Sequence, residues 1–86
     1  MAVDAEVDFI RVAVQTGITM MALARTERQL QEPTAALQAI TKAREALESA
    51  KRFLPMLKDV GQGTLGDLRR AIAELESAIR DDAHGT

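Results

Sequence analysis

Apolar residues recur at alternating steps of four and three from Val3 through Val7, Ile10, Val14, Gly17, Met21 and Ala24, the spacing that keeps side chains on one face of an α-helix. A second set stands beside that stripe, comprising Phe9, Ala13, Met20 and Leu23, with Val12 further round. At ~100° per residue the two sets together cover about two thirds of the circumference. Arg11, Gln15, Thr19 and Ala22 mark the strip left for water. The pattern predicts a first helix over about residues 4–30. Asp4, Glu6 and Asp8 fall in its first turns and Arg25 and Arg28 in its last, the polarity that the helix dipole favours.

Gln31 to Thr34 interrupts the pattern, and Pro33 suits the first turn of a new helix, where its missing N–H has no partner to lose. So short a connection predicts an antiparallel helical hairpin. The second helix, over about 33–57, carries a single narrow seam of Ala36, Ile40, Ala43, Leu47, Ala50, Leu54 and Leu57, flanked by Leu37. Lys42, Arg44, Glu45, Glu48, Lys51 and Arg52 form a solvated face, with Glu48 and Arg52 spaced to pair. Pro55 ends or kinks this helix, and Gly61 and Gly63 mark a loop. Thr64 with Asp67 has the spacing of a capping box, and Leu65, Leu68, Ile72, Leu75 and Ile79 form a third seam over about 65–81. Residues 82–86 read as a frayed tail. The expected fold is all-α, a single domain over 1–86 arranged as an antiparallel three-helix bundle.

Helix one is the longest of the three, roughly 40 Å at ~1.5 Å per residue, and also the widest in apolar arc. Two shorter, single-seam helices cover one broad face of it and leave the second strip in water, and exposed strips of that kind mark interfaces. The expected interface is Phe9, Val12, Ala13, Gly17, Met20 and Leu23. Gly17 sits mid-helix at a cost of about 1 kcal/mol relative to alanine, which close packing against another backbone within the chain or a dimer would explain. Met20 and Met21 are core-forming at this spacing. The partner expected is a second copy, giving a homodimer, or another helical protein.

Composition narrows the function classes. A chain of 86 residues buries only about 60 to 65% of its unfolded surface, so packing or association carries its stability. It has no cysteine, which removes disulfides and thiolate metal sites, and its only aromatics are Phe9 and Phe53. A net charge of -2, with both signs interspersed, argues against nucleic acid. Arg25 with Arg28 and Arg69 with Arg70 are short basic clusters without stacking aromatics. The acidic opening MAVDAEVDF is unlike an export signal, and the apolar run from Phe9 to Ala24 is interrupted by Arg11, Gln15, Thr16 and Thr19. A cytoplasmic protein without a membrane span is expected.

No constellation carries chemistry. His84 near Asp81 and Asp82 lies in the expected frayed tail, where preorganised metal ligation is disfavoured. Asp4 and Asp8 share a helix face, but the dipole accounts for them. Ser49 and Ser77 sit in helical runs with no base to activate them. Ala43, Leu47, Ala50 and Pro55 stand at the spacing of the second helix of a tetratricopeptide repeat, which that segment resembles over about a dozen residues. Leu replaces the preferred aromatic, Pro33 interrupts the partner helix and no second copy follows, so the resemblance brings no peptide-binding role. The chain is expected to be a non-enzymatic interaction or assembly module without catalytic, metal or cofactor-binding residues. The alternative is an adaptor, or a module for a small apolar ligand, using the same surface of helix one.

Overall fold

The computed structural model describes residues 2–84, with side-chain surroundings given for 5–83. Among these residues the chain forms three α-helices, α1 (Ala2–Gln29), α2 (Pro33–Phe53) and α3 (Gln62–His84), with one 3-10 turn at Leu54–Met56 and no strand. This is an all-α three-helix bundle, 46 Å long and 21 by 16 Å across.

The core is built from the stripes the sequence displays. Val7, Ile10, Val14, Met21 and Ala24 of α1 are buried, as are Ile40, Ala43, Leu47 and Ala50 of α2 and Leu68, Ile72, Leu75 and Ile79 of α3. Ala36 and Ala39 complete the α2 seam. With four buried alanines on α2 and Ala24 buried on α1, small residues make up much of the core between the hairpin helices, which favours the short end of the usual 8–10 Å spacing. α2 folds back along α1 and packs on it far more extensively than either packs on α3. That hairpin is the frame against which α3 is laid.

The turn between α1 and α2 is a Schellman motif. The Glu32 N–H donates to the Glu27 carbonyl at 2.8 Å and the Gln31 N–H to the Arg28 carbonyl at 3.0 Å, while Gln31 adopts φ 60°. Glycine is the usual residue at that left-handed position because it has no Cβ to strain. Glu32 then serves as the N-cap of α2 through its carbonyl, which accepts from the Ala36 N–H at 3.0 Å, and Pro33 occupies the first helical position as expected.

Three element ends differ from the sequence expectation. α2 stops at Phe53 instead of continuing to residue 57, because Pro55 offers no N–H to the fourth residue back and its ring clashes with that carbonyl, leaving only the 3-10 turn. α3 begins at Gln62, three residues earlier than expected, with the Leu65 N–H bonded to the Gly61 carbonyl at 3.0 Å. Thr64 therefore lies inside the first turn, and the capping box expected there does not mark the start. α3 also runs on to His84, through part of the segment read as frayed. Arg28 at the end of α1 forms a two-pronged ion pair with Asp82, its Nη2 donating to Oδ2 at 2.8 Å, and this ties that end of α3 to the hairpin. The expected Glu48–Arg52 pair is not among the ion pairs of the described residues. Lys51 reaches Glu76 on α3 at 3.1 Å instead.

Two substitutions in opposite senses test this account of the ends. Gln31→Gly relieves a left-handed residue, and Gly66→Ala fills a position in α3 where a Cβ meets nothing within 4 Å. Each is expected to raise stability by about 0.5 to 1 kcal/mol in urea unfolding. A loss of stability from either would show that the backbone at that site is not as described.

Candidate functional site

The buried stripe occupies one side of α1, and the second strip lies round the helix from it. Phe9 is 50% exposed, Val12 63% and Leu23 43%, while Ala13 and Met20 are half-buried at the edge of the core. Gly17 is buried. A Cβ built on Gly17 would stand 2.5 Å from Cδ2 and 2.9 Å from Cδ1 of Leu75, so the close approach implied by this glycine is to α3 of the same chain. Of the six residues expected at an interface, then, Phe9, Val12 and Leu23 face outward, Ala13 and Met20 border them, and Gly17 lies beneath α3.

The outward face is more regular than a scatter of exposed apolar groups. Ala5, Phe9, Val12, Thr16, Thr19, Leu23, Thr26 and Leu30 follow one another at steps of four and three from residue 5 to residue 30, and all eight are exposed. None is charged. This is a four-three seam, running along α1 and one residue past its end, on the side away from the seam already used by the core. Sequence reasoning found the part of it that is large and apolar. It missed Ala5, Thr16, Thr26 and Leu30, and placed Thr19 in the water-facing strip, because threonine counts as polar in a hydropathy pattern. The unbroken four-three spacing from Ala5 to Leu30 was the available signal.

The seam has polar edges and one recess. Arg11 pairs with Asp8 at 3.9 Å on an exposed flank, a contact contributing little. At the Ala5 end, the rings of Phe9 and Phe53 meet edge to face, 5.1 Å between centroids at 82°, an arrangement worth about 0.5 to 1.5 kcal/mol beyond area. Ala5, Glu6, Phe9, Phe53, Met56 and Leu57 line a cleft of about 360 Å³, with Glu6 the one charged residue in its wall. Phe53 and Met56 are themselves 39% and 60% exposed. Their place beside Phe9 follows from α2 folding back along α1, which no local pattern announces. At the other end of the seam, Leu30 is 65% exposed at the hairpin turn. Nearby, Oε1 of Glu27 is buried without a hydrogen-bond partner.

Among the described residues no group of three or more His, Cys, Asp or Glu side chains stands together to hold a metal. The side chains of Asp4 and His84, weighed above for catalysis and metal binding, lie outside the described residues. Ala5–Gln29 is long and apolar enough to cross a membrane by length and composition, with a mean hydropathy of 1.3 over its best window. One third of that window, 33%, is buried within the bundle, as befits a helix using one side for a core. Compared with protein families, with curated proteins and with solved structures, the chain matches none.

The Gly17 contact yields a direct expectation. Leu75 is fully enclosed and its methyl groups occupy the space a side chain at residue 17 would need, so Gly17→Leu should lower stability by about 1 to 3 kcal/mol and loosen α3 from the hairpin. Thermal unfolding and amide exchange of α3 check it. Gly17→Ala combined with Leu75→Val should recover most of the loss shown by Gly17→Ala alone, and an unchanged melting point in Gly17→Leu would refute the contact.

Proposed function

We propose that this chain is a non-catalytic interaction module that associates with itself through the outward seam of α1. The observation that carries the reading is the unbroken, uncharged heptad pattern from Ala5 to Leu30 on a helix whose opposite side already fills the core. A surface helix with a single task shows one apolar stripe and a charged opposite face. α2 and α3 meet that description, and α1 does not. Depletion of charge with retention of large apolar groups is also the compositional mark of the centre of an interface.

A second reading has its own observation. The cleft between Phe9, Phe53 and Met56 is apolar and open, and suits a small apolar ligand or one side chain of a different protein. The hydropathy of α1 supplies a third, in which the seam lies against lipid. Its flanks hold Asp8 and Arg11 but no run of basic residues, which weakens attachment to an anionic surface.

Sedimentation equilibrium at micromolar concentration separates them. Self-association predicts a mass of twice 9.4 kDa, reduced to that of a monomer by Val12→Lys with Leu23→Lys, two exposed positions where the fold itself should lose less than about 1 kcal/mol. A folded monomer across that range, with binding of a hydrophobic dye at the cleft, would replace this reading with the ligand one. Flotation with liposomes would replace it with the membrane one.

A further inference from the structure

We infer that the occupant of the outward seam is a second copy of the chain running in the opposite direction, with Leu30 of each copy seated in the cleft between Phe9, Phe53 and Met56 of the other. The inference rests on the self-association proposed above and specifies its geometry.

The order of residue sizes along the seam selects the direction. In a parallel, in-register pair each side chain meets its own counterpart, so Phe9 crowds Phe9 while Ala5 faces Ala5 across a gap. Cores instead fill to near-uniform density, with large groups set against small ones. An antiparallel pair centred between Thr16 and Thr19 places Ala5 opposite Leu30, Phe9 opposite Thr26 and Val12 opposite Leu23. Each layer then joins a bulky residue to a smaller one, with the two threonines at the centre. The seam is its own complement under a two-fold rotation, as an isologous interface requires.

The required area points the same way. From Ala5 to Leu30 the seam is about 37 Å long, and at the ~10 Å breadth of one helix it offers roughly 400 Å² in projection. A standard interface takes about 800 Å² from each partner. On a molecule 46 Å long and 21 Å across at its wider, that demands most of one side, so the neighbouring edge of α2 must take part. Phe53 and Met56 are the large apolar groups exposed there beside Phe9. An antiparallel partner brings its hairpin turn, with Leu30 projecting, over this recess. A parallel partner sets two recesses of about 360 Å³ face to face with nothing to fill them. Helices that meet along four-three seams set the ridges of one into the grooves of the other at about +20°, and the two copies of α1 are expected to cross at that angle.

Absence of cysteine makes the test clean, since each introduced thiol is unique. Ala5→Cys and Leu30→Cys replace exposed residues at the two ends of the seam. Mixed in equal amounts and gently oxidised, the two variants are expected to give a covalent mixed dimer, while neither cross-links efficiently to itself because like positions stand about 37 Å apart. Circular dichroism verifies that both remain helical. Efficient self-cross-linking of Ala5→Cys, or a native dimer whose mixed variants do not cross-link, overturns the opposed arrangement and leaves self-association standing. A native chain that sediments as a monomer, with no cross-link in any mixture, overturns both. Leu30→Ala separately tests the knob, and about tenfold weaker dimerisation is expected; no change would remove Leu30 from the cleft.

Discussion

Leu75 rests on the backbone of α1 at Gly17, and the arrangement of the bundle depends on that contact. Two helices folded into a hairpin present two grooves, one on each side, and a third helix has room in only one of them. The missing Cβ at Gly17 opens a notch on one side, and Leu75, wholly enclosed, fills it. A glycine in a helix interior costs about 1 kcal/mol, and here that is offset by burying one leucine, worth about 1.5 to 3 kcal/mol. Once α3 is committed to the Gly17 side, the groove bearing Phe9 and Phe53 is left open. The outward seam is therefore a consequence of how the core closes.

The same contact explains how two stripes coexist on one helix. The core stripe of α1 is narrow and includes small residues at Gly17 and Ala24, which allow close approach without demanding a wide arc. The alanines of α2 do likewise from the other side. A core assembled this tightly uses less of the circumference of α1 than leucine-rich packing would, and half of the helix remains available for another task. Arg28 and Asp82 hold the far end of α3 in line, so the third helix does not swing across the open groove.

The all-α class, the number of helices and nearly every core position were legible in the chain because a 3.6-residue period writes itself directly into sequence. Val7, Ile10 and Val14, or Leu68, Ile72 and Leu75, need no tertiary context to be recognised as one face. Helix ends were less legible. Gln31 takes a left-handed conformation that only glycine advertises, and Gln62 starts α3 without a capping side chain, so neither boundary had a residue that named it. Pro55 did announce a break, but not that the α-helix would yield at Phe53. The candidate surface was half legible. Phe9, Val12 and Leu23 declared themselves by hydropathy, whereas Phe53 and Met56 join them only through the hairpin. Gly17 was visible as an anomaly, yet its partner Leu75 lies 58 residues away and nothing local connects the two.

The threonines bear on what the outward face can do. A seam of leucines at all eight positions would pair strongly and would also aggregate when unpaired, since a large apolar patch on a free surface is a liability. A seam of charged residues would not pair. Threonine occupies the middle ground because its methyl group packs while its hydroxyl is able to bond within its own helix. Thr26 shows the arrangement, its Oγ1 donating to the Ala22 carbonyl at 3.2 Å. A hydroxyl bonded in this way carries its partner with it on burial, which avoids the usual cost of about 1 to 3 kcal/mol for a stranded polar group, whereas the hydroxyls of Thr16 and Thr19 make no such bond and need a partner from whatever covers them. The face is thus tolerable in water and ready to be covered. For a chain of this size, any association through this face would draw on the same helix as folding, and the concentration of partner would then become part of its stability.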